Sequence, residues 1–187
     1  MNDSTIMDVT EKQQYCQNVY DNNIIRVMSF LDDMKTIADS YNHMLPVTCF
    51  TNFRDALFHF RKIYYASNKN EIMEQGFALK EHLNRSRTDA IVSLLNFFSY
   101  GIRMLLNDDT ICGMYGKKLR VFLHKMQNIN LFKRINGMMI FSYDVDNITD
   151  GEVYQLIMDF SLFLKSNNLA QEFAKRIQRK NDSTKPI

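Results

Sequence analysis

An all-α fold, a single-domain up-and-down bundle of about five helices, is what this sequence predicts. Three observations carry the prediction. Only 6 Gly and 2 Pro occur in 187 residues, against 12 Met and 14 Phe, so chain breakers are scarce and long side chains suited to helices abound. Apolar residues recur at three- and four-residue spacing, as one face of a helix requires. The strand–helix alternation of a doubly wound nucleotide fold is absent, and so is a Gly-rich phosphate loop. The segment GMYGKK at Gly113 has glycines and lysines but neither the spacing nor the preceding strand of such a loop.

The elements follow in chain order. Ile24, Ile25, Met28, Leu31, Met34, Ile37, Ala38 and Tyr41 place a first helix from about Val19 to Tyr41. Pro46 then breaks the chain, because it lacks an N–H and disfavours helix in the residue before it. A second helix starts near Thr51 or Asn52, either of which can cap it, and reaches roughly Ser67 before an SNKN turn. The third is long, from Glu71 to about Leu106, interrupted only by Gly76 and Gly101. Asp109 or Thr110 caps a fourth, through His124 and on toward Ile135. Asn136 and Gly137 signal a turn, and MMIFSY reads as a short strand or an apolar connector. Thr149 and Glu152 fit a capping box for a last helix from about Asp150 into EFAKRIQRK. The reading is one helical domain over residues 1–187, frayed at 1–15 and 181–187.

Composition sets the outer bounds. The chain is 45% hydrophobic and 24% charged, enough to bury a core without disulfides or metals. No apolar run approaches the roughly 20 residues that cross a bilayer, and the polar start MNDSTIMDVTEKQQ lacks a signal pattern. A cytoplasmic protein without a membrane partner is therefore expected. A formal charge of +2 argues against an extensive basic nucleic-acid surface, though not against a local phosphate site. Cys16, Cys49 and Cys112 are odd in number and far apart, which fits reduced, buried thiols. No cofactor or metal is expected.

The chemistry concentrates in NFRDALFHFRKIYY, from Asn52. At about 100° per residue from Arg54, the residues Phe53, Ala56, Leu57, Phe60 and Tyr64 share one arc, with Ile63 at its border. That arc is the expected core stripe. Arg61 lies near Arg54, and Lys62, Asp55 and His59 follow over the next roughly 140°. Asp55 and His59, four residues apart, are neighbours on the helix surface, so Asp55 is placed to hold the imidazole in its charged form. Phe58 and Tyr65 fall among these polar groups, which points to a face that packs against something.

The pattern Arg54-Asp55-Ala56-Leu57-Phe58-His59 resembles the motif of the HEPN family, the higher eukaryotes and prokaryotes nucleotide-binding domain. That motif is an Arg, then Asn, Asp or His, three further residues, and a His. The resemblance implies a small helical bundle, commonly a homodimer. It also implies RNA as a partner, with metal-independent endoribonuclease activity in many members and, often, a protein antitoxin as a second partner. Other members act as RNA-binding or assembly modules. In much of the family the motif lies later in the domain than it does here. On this reading the RNA 2′-hydroxyl is the nucleophile, His59 moves protons, Arg54 neutralises phosphate charge, and Asp55 orients His59. Arg61 and Lys62 hold flanking phosphates.

The second polar concentration is KEHLNRSRTD, in which Glu81–Arg85 and Arg85–Asp89 are both i,i+4 pairs. It reads as a surface ion-pair ladder or as a second wall of the same site, with His82 and Arg85 facing substrate. His43 and His124 read as loop and surface residues. Lys175, Arg176, Arg179 and Lys180 suit a solvated helix end. The run LLNFFSYGIRMLL calls for burial in the bundle or across a dimer contact. Against the nuclease reading stands a non-catalytic interaction or regulatory module. A catalytic site needs Arg54 and His59, with their dimer mates where one protomer offers only a loose pair, to converge on an open groove; a scaffold buries or scatters them.

Overall fold

The computed structural model describes residues 7–129, 132–135, 138–141 and 150–183, and the side chains of 7–129 and 151–178. The fold is all-α. The described helices are α1 (Val9–Val19), joined through a π-helical turn (Tyr20–Ile24) to α2 (Ile25–Asp39), then α3 (Val47–Tyr65), α4 (Lys69–Leu106), α5 (Asp109–Ile129), α6 (Asp150–Ser166) and α7 (Ala170–Ser183). Because α1, the π turn and α2 are continuous, this makes six helical runs among the described residues rather than about five. Two short strands, β1 (Phe132–Ile135) and β2 (Met138–Phe141), pair antiparallel with Phe132 opposite Phe141. The MMIFSY segment is thus a strand over its first four residues. The expected Asn136-Gly137 turn and the Thr149 cap lie outside the described residues.

Several boundaries shift, each for a local reason. The first helix starts at Val9 rather than about Val19. Its first turns bring Tyr15 against Gly76 of α4, so closely that a Cβ at Gly76 would strike the tyrosine hydroxyl. Helix α3 begins at Val47, directly after Pro46 (φ −58°, ψ 141°); the proline ring fixes φ while the residue's carbonyl opens the helix, leaving Asn52 inside it. Asn68 caps α4 by accepting from the Glu71 N–H at 2.9 Å, and Asp108, not Asp109 or Thr110, caps α5 by accepting from Ile111 at 3.0 Å. At the ends of α2 and α6, Asn42 (φ 53°) and Asn168 (φ 55°) take the left-handed conformation. There His43 donates back to Ala38 and Leu169 to Leu164, the αL termination for which Asn stands second to Gly.

The chain forms two compact units. The first comprises Met1–Lys35 and Leu45–Ala90, the second Thr36–Met44 and Ile91–Ile187. The core of the first includes Ile24, Val27, Leu31, Met34, Cys49, Ala56, Ile63, Ile72, Leu79 and Leu83. The second is built on aromatic rings: Phe98, Phe160 and Phe173 are fully buried and meet edge to face with centroids 5.1–5.9 Å apart. The LLNFFSYGIRMLL run lies here, with Leu94, Leu95, Phe98, Ile102 and Leu105 buried as expected.

One expectation is corrected. Helix α4 spans 38 residues and contains an 18-residue window of mean hydropathy 1.3, long and apolar enough by length and composition to cross a bilayer. Half of that window is buried within the fold, the pattern of a helix whose apolar face serves the protein core.

Candidate functional site

Helices α3 and α4 of the first unit meet along a seam whose composition alternates. On α4 the line Ile72, Leu79 and Ser86 is buried, and Gln75, His82 and Asp89 border it half-buried. On α3, Ala56 and Ile63 are fully buried, while Asn52 and His59 border them. Each polar set repeats every seven residues, close to two helical turns, so its side chains stack along one edge of the contact.

These polar groups bond to one another. His59 Nδ1 lies 2.8 Å from Gln75 Oε1, and His82 Nδ1 lies 3.2 Å from Asn52 Oδ1. Asn52 Nδ2 donates to Asp89 Oδ2 at 3.3 Å. The carboxylate accepts only, so it fixes which end of the Asn52 amide turns toward His82. His82 Nδ1 thus carries the proton toward Asn52 Oδ1, and His59 Nδ1 is set against Gln75 Oε1 as its donor. In the neutral rings Nε2 is then the basic nitrogen, and neither Nε2 has a hydrogen-bond partner among the described residues. The two rings stack, with centroids 5.2 Å apart and planes at 19°. The arrangement is a pair of parallel imidazoles, each steered by an amide and each with its second nitrogen available for proton transfer.

The sequence-predicted residues divide around this pair. His59 and His82 come together. Asp55 does not orient His59: it accepts Arg54 Nε at 3.1 Å and Nη2 at 2.8 Å, and Gln75 takes the place assigned to it. Arg54, its side chain 74% exposed, sits about 140° around α3 from His59, so the two do not converge within one protomer. Lys62 Nζ lies 4.7 Å over the Phe58 ring, which meets His59 edge-on at 6.1 Å. Arg61 lies 5.9 Å over Tyr65. Arg85 keeps only the first rung of the expected ladder, 3.6 Å from Glu81, because Asp89 turns to Asn52. Three residues from His82, Arg85 shares its side of α4.

The core stripe of α3 is also corrected. Ile63, placed at its border, is fully buried, whereas Leu57 and Tyr64 are exposed. The buried line runs through Cys49, Ala56 and Ile63, and the outward face carries Phe50, Phe58 and Tyr65 beside Arg54 and Arg61. The sequence reading gave Asn52 and Asp89 other roles, a cap and an ion-pair partner, and did not name Gln75; the signal for all three was the shared seven-residue spacing with His59 and His82.

Other candidates resolve into structure. Ser86 Oγ donates to the Cys49 carbonyl at 2.7 Å, and burial, with Asp89 nearby, pushes the Cys49 thiol up to about 12. The three cysteines are free thiols, Cys49 buried and the others half-buried. His43 is not a surface group: it stacks on Phe97 at 4.2 Å and meets Ser93 Oγ at 2.9 Å, and burial lowers its pKa. His124 is exposed, beside Asn128. Arg176 is tied to Asp108 and Glu172, each at 2.7 Å, which helps hold the Asp108 carboxyl below its usual range after the larger effect of the Ile111 N–H. Lys175 is exposed, and Arg179 and Lys180 lie outside the described side chains. Among the described residues no three His, Cys, Asp or Glu gather as metal ligands. No family model, curated protein or solved structure matches the chain.

Proposed function

We propose that this chain is a HEPN-like, RNA-directed protein that cleaves RNA without a metal, and that His59 and His82 share its proton transfers. The observation that carries the reading is the stacked pair, each ring held through Nδ1 with Nε2 left open. One neutral imidazole takes the proton of a ribose 2′-hydroxyl as its oxygen attacks the adjacent phosphorus. The other, charged, gives a proton to the departing 5′-oxygen. The products are a 2′,3′-cyclic phosphate and a 5′-hydroxyl, and the two histidines end with their protonation exchanged. Arg85 is the cation best placed beside His82 for the phosphate. Arg54, turned outward, serves the site of a second copy in a homodimer. The aromatic outer face of α3 is the surface for that contact, since Phe58 and Tyr65 stand 55% and 72% exposed.

The test is single-stranded RNA incubated with the protein in excess chelator. Cleavage leaving cyclic phosphate ends is the expected result, abolished by His59→Ala and by His82→Ala. Arg85→Ala weakens RNA binding and lowers its logarithmic salt slope by about 0.7 for one lost phosphate contact. RNA neither bound nor cut by the wild type overturns the reading.

A second reading rests on a different observation. Arg54 is bonded to Asp55, and exposed aromatic residues surround it, as in a binding face that needs no chemistry. A non-catalytic interaction module predicts that Phe58→Ser and Tyr65→Ser abolish self-association or partner binding while substitutions at His59 and His82 leave it intact.

A further inference from the structure

A cleft of about 790 Å³ opens in the first unit between α1, the π turn and the C-terminal end of α3, within the roughly 300–1,000 Å³ typical of small-molecule sites. Its walls include Val9, Cys16, Tyr20, Phe60 and Tyr64, and Lys12 is the one charged residue among those lining it. Lys12 Nζ donates to the Ala66 carbonyl at the end of α3 at 2.6 Å. That uses one of three ammonium hydrogens and fixes the cation at the cleft wall. The Tyr20 and Phe60 rings lie tilted against each other, centroids 6.0 Å apart and planes at 36°, an aromatic floor beside a lone positive charge.

The π turn is the second, independent sign. In an unbroken α-helix the residue stacked over buried Ile24 is the one four earlier, Tyr20. Here Val19 is buried with Ile24, and Tyr20 stands 42% exposed at the cleft. The wide turn over Tyr20–Ile24 therefore removes a tyrosine from the core line and presents it to the cavity. Single π turns inside α-helices concentrate at functional sites.

We infer that this cleft is a binding site for a small aromatic carboxylate, its ring laid against the floor that Tyr20 and Phe60 form together and its anion on Lys12. The site does not depend on the RNA reading: it uses neither histidine of the α3–α4 seam. The probe is 2-naphthoate, compared with neutral 2-naphthamide, followed by titration calorimetry and by amide chemical-shift changes on the isotope-labelled full chain. Naphthoate binds more tightly than naphthamide and perturbs Cys16, Tyr20 and Phe60. Lys12→Met weakens naphthoate about tenfold and leaves naphthamide unchanged. Cys16→Trp, which fills the cleft, abolishes both, and an unchanged helical spectrum shows that it folds; if it does not fold, the shift map and Lys12→Met still decide. Equal affinity for the two probes, shifts away from the cleft, or no naphthoate binding at about 1 mM, some −4 kcal/mol, overturns the assignment.

Discussion

The α3–α4 seam and the aromatic cluster of the second unit are both helix contacts, and they are filled in opposite ways. The cluster packs Phe98, Phe160 and Phe173 with no polar atom among the three rings and no exposure. The seam sets His59, His82, Asn52, Gln75 and Asp89 along its edge in hydrogen bonds that a set of leucines would render unnecessary. Burying polar groups gains little net stability even when each finds a partner, whereas each buried ring contributes on the order of several kcal/mol. The contrast assigns stability to the aromatic cluster and leaves the seam as the place where the proposed chemistry is to be tested.

The largest expected effect lies in the cluster. Phe160→Ala removes a ring that touches Phe98, Phe122 and Phe173 and should lower unfolding free energy by about 3–5 kcal/mol in denaturant titration. Gly101→Ala follows, at about 1–3 kcal/mol, because a Cβ there would run into the Phe173 ring. Ser86→Ala, which leaves the buried Cys49 carbonyl without the hydroxyl, should cost about 1 kcal/mol. A seam histidine as costly as Phe160 would erase the distinction between the two regions.

A smaller, pH-dependent effect belongs to His43. Burial holds its folded pKa below the ordinary 6.5, so the unfolded chain takes up this proton first. Stability is complete above about pH 6.5 and falls as pH drops from there toward the folded pKa. Melting temperatures between pH 7.5 and 5.5 should decline less steeply in His43→Gln than in the wild type.

The helices were legible because Gly and Pro are rare and the apolar spacing is regular; Leu31, Met34, Ile37 and Ala38 are buried where periodicity puts them. The site was legible in part. His59 and His82 stand out as ionisable groups in an otherwise apolar pattern, but their partners do not. Asn52 reads as a cap because Thr51 and Asn52 look like a helix start, whereas Pro46 moves that start to Val47. Asp89 reads as a partner for Arg85 because i,i+4 pairing is a local rule, while its actual bond crosses from one helix to another. Tyr20 was illegible for a related reason: a π turn changes the period on which the wheel depends. For Asp89 a contact between distant segments overrides a local signal; for Asn52 and Tyr20 a nearby proline and a wide turn shift the register on which the local signal depends.

The most direct test takes one variant, His82→Ala, and reads it twice. The account predicts a change in unfolding free energy within about 1 kcal/mol of wild type, since only a half-buried polar edge is lost, together with loss of RNA cleavage in chelator. A fall of several kcal/mol with RNA handling unchanged would contradict it and make the seam a structural contact.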